Sequence, residues 1–397
     1  MKGKSIFLFI LKVVSLTVLS VFAFIGLVSL FILSLLVKNP QEIFTAYQTY
    51  NIINNNFYQE IDPAKLISGI TEGLVDSLDD QYSEYFTAEE WKEYTAQLNG
   101  IYAGIGMLLG EDKDTKLVKG IKVFEGSPAA KAGLKVGDLI LSIDGESTEG
   151  LNVEEVATKV RGEAGTNVTL KVFRDREELE FTITRAQIKV PSVSGKLINN
   201  NKTLYIEISS FGESTSTELA ELLSSYSKLP DSIVLDLRNN GGGLVAQSME
   251  VARYFIKGGT VLYEVGREES SLENLTVDGE KYLNKKLVVL VNGNTASASE
   301  ILTGAIQDYQ TGTIVGEQTF GKGVVQSMFN LSDGGIIKLT TKRYLTPNKR
   351  DINKEGIKPD IVVVMSKDEL EKVDTSRLPD EINDLQLVKA IEVINKQ

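Results

Sequence analysis

The 397-residue chain contains neither histidine nor cysteine. The first absence excludes a Ser-His-Asp triad, a His-Glu-x-x-His zinc site and any imidazole base. The second excludes a thiol nucleophile, a disulfide framework and a thiolate metal site. A thiol-free chain suits an oxidising, extracytoplasmic setting. General-base work is left to Lys, Asp, Glu or Tyr. Positive charge is also scarce: 42 Lys and Arg stand against 54 Asp and Glu, for a formal net charge of -12. That balance argues against nucleic acid as a partner, because phosphate backbones reward clustered Lys and Arg. At 42% hydrophobic and 24% charged the composition is globular, and the length admits two or three domains.

Charge is missing altogether from Val13 to Val37. As a helix this run would extend roughly 37 Å, enough to cross a bilayer with some tilt. Lys2, Lys4 and Lys12 precede it, which puts the N-terminus in the cytoplasm and the rest of the chain outside. A cleaved signal peptide is the alternative. The run is long for one, and Leu35-Leu36-Val37-Lys38 offers no small-x-small cleavage site. The expectation is a cytoplasmic tip and transmembrane anchor over residues 1–40.

Residues 41–98 read as a helical region. Asp62-Pro63 starts one helix as a cap followed by a first-turn proline, and Thr87-Ala88-Glu89-Glu90 starts another as a capping box. Residues 99–187 read as a compact β-rich module with two short helices. Ser127-Pro128-Ala129-Ala130-Lys131-Ala132-Gly133 and the strand Asp138 to Ile143 resemble the corresponding parts of a PDZ domain. The resemblance implies β-augmentation, in which a peptide C-terminus adds a strand and a glycine loop takes its carboxylate. Here that loop is Tyr102-Ala103-Gly104-Ile105-Gly106; a plain turn without a ligand is the alternative.

Residues 188–365 alternate strands with helices and predict an α/β core. A buried strand, Ser232 to Leu237, runs into Arg238-Asn239-Asn240-Gly241-Gly242-Gly243. No Gly-Lys-Ser/Thr follows, so a phosphate loop is excluded. A turn of this kind can instead present backbone N–H groups to a developing oxyanion. The apolar strand Leu287 to Val291 turns into Thr295-Ala296-Ser297-Ala298-Ser299-Glu300, where a helix starts. Residues 366–397 form a charged tail ending in a helix with one apolar stripe.

Ser297 and Glu300 have the spacing of a capping box, and most lysines are solvated surface groups. Taken together, Ser297 and Lys322 suggest more. A serine nucleophile needs a base, and lysine can serve only when neutral. Free lysine titrates near ~10.4, so about one in 2,500 is neutral at pH 7; burial in an apolar pocket shifts the balance. Lys322 has glycines on both sides and Phe320, Val324 and Val325 close in sequence. Gln326 could orient the amine without adding a charge.

These stretches resemble the C-terminal processing peptidases, also called tail-specific proteases. The likeness covers nearly everything after residue 40: helical region, PDZ domain, protease core and C-terminal tail. It implies Ser297 in Thr295-Ala296-Ser297-Ala298-Ser299-Glu300-Ile301 as nucleophile. It also implies Lys322 as base and Gln326 as its orienter, in Gly321-Lys322-Gly323-Val324-Val325-Gln326. The oxyanion donors would be the N–H of Ala298 and that of Gly242 or Gly243. Two positions depart from the family: Gln81 stands where a proline is usual, and Pro347-Asn348-Lys349 lacks a glycine.

The expected protein is thus a single-pass serine endopeptidase of a bacterial cell membrane, with its catalytic part extracytoplasmic. Its substrates would be proteins with accessible, apolar C-termini, and it would need no metal or cofactor. Arg161 could couple the PDZ domain to the core, and homodimerisation through the helical ends comes by the same analogy. The rival is a catalytically silent binding scaffold of the same fold.

Overall fold

A computed structural model describes residues 14–26, 40–112, 115–268, 271–373 and 379–397. It corrects the expected anchor. Among the described residues no helix is long and apolar enough to cross a membrane. The described helical residues, 14–26, account for about 20 Å at 1.5 Å per residue, against a hydrocarbon core of about 30 Å. The rest of the predicted span, and the three lysines before it, lie outside the described residues. The membrane-anchored, extracytoplasmic placement rested on that span and is withdrawn with it.

The chain divides into two compact units, Met1–Leu78 and Asp79–Gln397. In the first, helices Pro40–Asn56 and Pro63–Asp76 border an apolar groove lined by Tyr50, Ile53, Phe57, Ile61, Leu66 and Ile70. Asp62 starts the second helix as its cap, accepting the Ala64 N–H at 2.9 Å. The region read as helical to residue 98 is broken by a strand, Glu84–Phe86, before the helix Ala88–Leu98. Glu84-Tyr85-Phe86 pairs antiparallel with residues 336–338, and this part belongs to the second unit.

Within the second unit, strands Met107–Glu111, Val118–Val123, Leu139–Ile143, Asn167–Arg174 and Glu177–Thr184 lie side by side in that order. Ile140, Val156, Val168, Leu170 and Val172 fill the interior of this module. Ser127 caps the helix Pro128–Ala132 and Gly133 ends it at φ 90°. A second helix, Val153–Val160, starts with Asn152 and Glu155 as a reciprocal capping box.

The core is a six-stranded sheet in the order Val193–Ile198, Thr203–Ile208, Ser232–Asp236, Lys286–Val291, Thr313–Gly316, Ile361–Val362. The first pair is antiparallel and the others are parallel. Side chains alternate between the faces. Ile233, Leu235, Val289 and Val291 point into one core, closed by helices Thr215–Ser224, Val245–Phe255 and Ala298–Asp308. Val234, Val288 and Leu290 point the other way, against Leu387, Ala390 and Ile394 of the terminal helix Leu385–Lys396. Burial on both faces explains why these strands read as continuous apolar runs. Beside this sheet lies an antiparallel one, in which Ile336–Leu345 pairs with Glu84–Phe86, Gly259–Val265 and Val324–Asn330.

Candidate active site

Three adjacent parallel strands, 232–236, 286–291 and 313–316, end on the same edge of the core sheet. In open α/β sheets that carboxyl edge is where sites are built. The loops leaving it carry Gly241 to Gly243, Ser297 and Lys322, so parallel register brings together residues far apart in sequence.

Ser297 sits at φ 56° and ψ -118°, a region costly for a side chain bearing Cβ. Surrounding bonds over-determine it. Its N–H donates to Glu300 Oε2 at 2.9 Å, and its carbonyl accepts from Tyr344 Oη at 3.1 Å. Thr295 Oγ1 donates to the Leu237 carbonyl at 2.8 Å, and Ser248 Oγ to the Ala298 carbonyl at 2.8 Å. The residue is only 9% exposed.

The glycine loop is fastened to the same turn through Asn240, which is fully buried. Its Nδ2 donates to the Ile208 carbonyl at 2.7 Å. Its carbonyl accepts from Ala296 N–H at 3.0 Å and Ser299 Oγ at 3.0 Å, and its Oδ1 accepts from Gly242 N–H at 2.9 Å. Gly242, at φ 102°, lies so close that a Cβ there would stand 2.8 Å from Ser297 Cβ and 3.0 Å from Ala298 N. Hydrogen bonding separates the two candidate glycines. Gly242 N–H is spent on Asn240, whereas among the described residues no hydrogen bond takes the N–H of Gly243 or of Ala298.

Glu300 does more than a helix-capping residue would. Its carboxylate, fully buried, also accepts from Thr319 Oγ1 at 2.5 Å, Gly321 N–H at 2.8 Å and Lys322 N–H at 2.9 Å. With Ser297 N–H, four donors converge on an acceptor-only group. One carboxylate thereby fixes the backbone of the serine relative to that of the lysine.

The Lys322 side chain is half-buried and its amine lies 4.7 Å from the Tyr82 ring centroid. Burial, and then the nearby Lys338 charge, hold its pKa below the usual lysine range; Asp80 and Glu300 oppose them. Among the described residues no hydrogen bond joins Lys322 Nζ to the Ser297 hydroxyl. Gln326 does not meet the amine either: its Nε2 donates to Thr340 Oγ1 at 3.3 Å.

Tyr102, Ala103, Gly104, Ile105 and Gly106 line a groove of about 370 Å³ facing Val153, Ala157 and Val160 of the helix. Arg161 lies in the same groove and pairs with Glu154 at 3.1 Å. The structure places it at this groove of the module itself.

Several residues escaped the sequence reading. The Asp80-Gln81-Tyr82 stretch drew notice only for its missing proline, yet its tyrosine underlies Lys322. Asn240 passed as a turn residue. Asp236-Leu237-Arg238 carried a usable signal, an acid and a base ending a buried strand. Arg238 grips Asp236 and, through Nη1, Asp384 and Gln386, each at 3.0 Å.

Comparisons with known proteins follow the same division. The family described as "Peptidase family S41" matches residues 202–363, a PDZ domain matches 122–174, and the "Activating protease CtpB N-terminal domain" matches 37–90. A probable CtpA-like serine protease of Staphylococcus aureus (strain N315) is 38% identical over 317 residues, 79% of this chain and 63% of the relative. The chain thus spans less than two thirds of that relative's length. A carboxyl-terminal-processing protease of Synechocystis is 39% identical over 298 residues, 74% of this chain and 70% of the relative. The solved photosystem II D1 C-terminal processing protease is 26% identical with a TM-score of 0.50, covering 88% of this chain and 91% of that one.

Proposed function

The chain belongs to the carboxyl-terminal-processing proteases of peptidase family S41, and from that premise we propose that it is a serine endopeptidase acting through Ser297 and Lys322. The observation that carries this reading is one shared edge. Ser297, two unspent N–H groups and a lysine with lowered pKa all leave the carboxyl ends of neighbouring parallel strands.

Neutral Lys322 takes the Ser297 hydroxyl proton as Oγ attacks the scissile carbonyl. The oxyanion settles between the N–H groups of Ala298 and Gly243, Gly242 being engaged by Asn240. Lys322 returns the proton to the leaving amine, and water then releases the acyl-enzyme. Gln326, bonded to Thr340, steadies the strand that follows the lysine. The PDZ groove receives the C-terminal tail of a protein substrate as an added strand, with apolar lining that favours an apolar end.

Digestion of candidate proteins by the full chain tests the dyad. Ser297→Ala and Lys322→Ala should each lower kcat/KM roughly 10³-fold or more. Cleavage that survives either substitution would remove that residue from the mechanism.

A further inference from the structure

The stretch just after Leu78 has no role in the reading above, yet it delivers an aromatic face to the amine of Lys322. We propose that Tyr82 is a positioning residue for Lys322, its ring receiving the ammonium that Lys322 becomes on taking the Ser297 proton. This rests on the reading of Lys322 as the base.

The ring is held firmly. Tyr82 N–H donates to Asp80 Oδ1 at 3.3 Å, and Ser83 Oγ donates to Asp80 Oδ2 at 2.6 Å. Ser83 Oγ in turn accepts from Thr340 N–H at 3.0 Å. Residues 84–86 then pair with 336–338 on that strand. The other edge of the same strand pairs with Val324–Asn330, which begins two residues after Lys322. Ring and amine are therefore fixed to one strand from its two sides.

The charges around the amine explain the use of a ring. Asp80 faces it from the tyrosine's own loop, Glu300 from the nucleophile helix and Lys338 from strand Ile336–Leu345. The Asp80 carboxylate is occupied by Ser83 and Tyr82 N–H, and that of Glu300 by four donors. Neither carboxylate makes a hydrogen bond or ion pair with Lys322 Nζ among the described residues, and such a pair would hold the lysine protonated. A ring face attracts an ammonium more weakly. It can accept the cation while Ser297 Oγ–H breaks and Oγ–C forms, then let the proton pass to the leaving amine. Lys338 is held in a related way, 4.9 and 4.8 Å from the Phe86 and Tyr94 ring centroids, with Glu84 at 2.7 Å.

The test replaces Tyr82 in the full chain with phenylalanine, with progressively fluorinated phenylalanines and with leucine. Fluorination empties the ring face while keeping its shape, so folding is preserved. Two readouts are taken: the pH profile of kcat/KM, and the ¹⁵Nζ titration of Lys322, assigned by its loss in Lys322→Ala. Tyr82→Phe should match wild type. Each added fluorine, and Tyr82→Leu, should move the titration and the acid limb together to lower pH, since the lost ring favoured the cation. The plateau should fall about two- to five-fold. A titration unmoved across the fluorinated series overturns the proposal, as does Tyr82→Phe behaving like Tyr82→Leu. Activity surviving in Lys322→Ala defeats the base reading, and the proposal with it, whatever the titration shows; the two failures are thus distinguished.

Discussion

Glu300 is the residue on which the site's geometry turns. Its Oε2 accepts both Ser297 N–H and Lys322 N–H, and its Oε1 accepts Gly321 N–H. Glu300→Gln would turn an amide NH₂ toward at least one of these donors. The expected cost is about 1–3 kcal/mol, read from the urea unfolding midpoint, with a fall in kcat larger than in KM. A variant with wild-type stability and activity would show the carboxylate to be dispensable. Gly242 offers a steric counterpart. Its φ of 102° and its close approach to Ser297 leave no room for a methyl group. Gly242→Ala should lower kcat about 10²-fold, the scale of an ångström's misplacement, while the PDZ groove binds peptide as before in a fluorescence titration.

At the scale of elements, the terminal helix is tied to the segment that leads into the glycine loop. Asp384 caps that helix by accepting Leu387 N–H at 3.1 Å, and the same carboxylate pairs with Arg238 at 2.8 Å. Arg238 also grips Asp236, which accepts from Tyr205 Oη at 2.7 Å. Burial foremost, with the Asp236 charge, drives the Tyr205 pKa upward, so the tyrosine stays a donor. Arg238→Ala would leave two buried carboxylates uncompensated, at a cost of about 3–5 kcal/mol. Arg238→Lys should recover only part of this, because an ammonium lacks the planar fork. Chemical denaturation measures both. The apolar stripe of this helix was legible in the sequence, but its partner was not, since Val234, Val288 and Leu290 face it only once strand register is set. The short strand 84–86 was missed for a similar reason. Three residues carry too little periodicity, and the pairing with 336–338 is purely tertiary.

Across the whole molecule, the α/β core and the PDZ module were legible because both-face burial, caps and turn glycines each leave local signatures. Ser297 and Lys322 stood out because histidine and cysteine are absent. The contacts around them were not legible: Tyr82 beneath the amine, Asn240 beneath the glycine loop, and Gln326 turned toward Thr340. Each depends on strand pairing and loop placement that only the folded chain sets. The predicted span was not borne out: among the described residues no helix is long and apolar enough to cross a membrane. With Lys322 as the proposed base, its lowered pKa sets a pH dependence for the reaction. The base works only when neutral, so kcat/KM should rise with pH through a midpoint below the ordinary lysine range and fall away on its acid side. A profile flat across that interval would disconnect lysine from catalysis.

The most direct measurement is intact-mass spectrometry of the full chain after exposure to a fluorophosphonate, followed by peptide mapping. The account predicts one adduct, on Ser297, absent from Ser297→Ala and formed far more slowly in Lys322→Ala. An adduct on another residue, or an unchanged rate in Lys322→Ala, would contradict it.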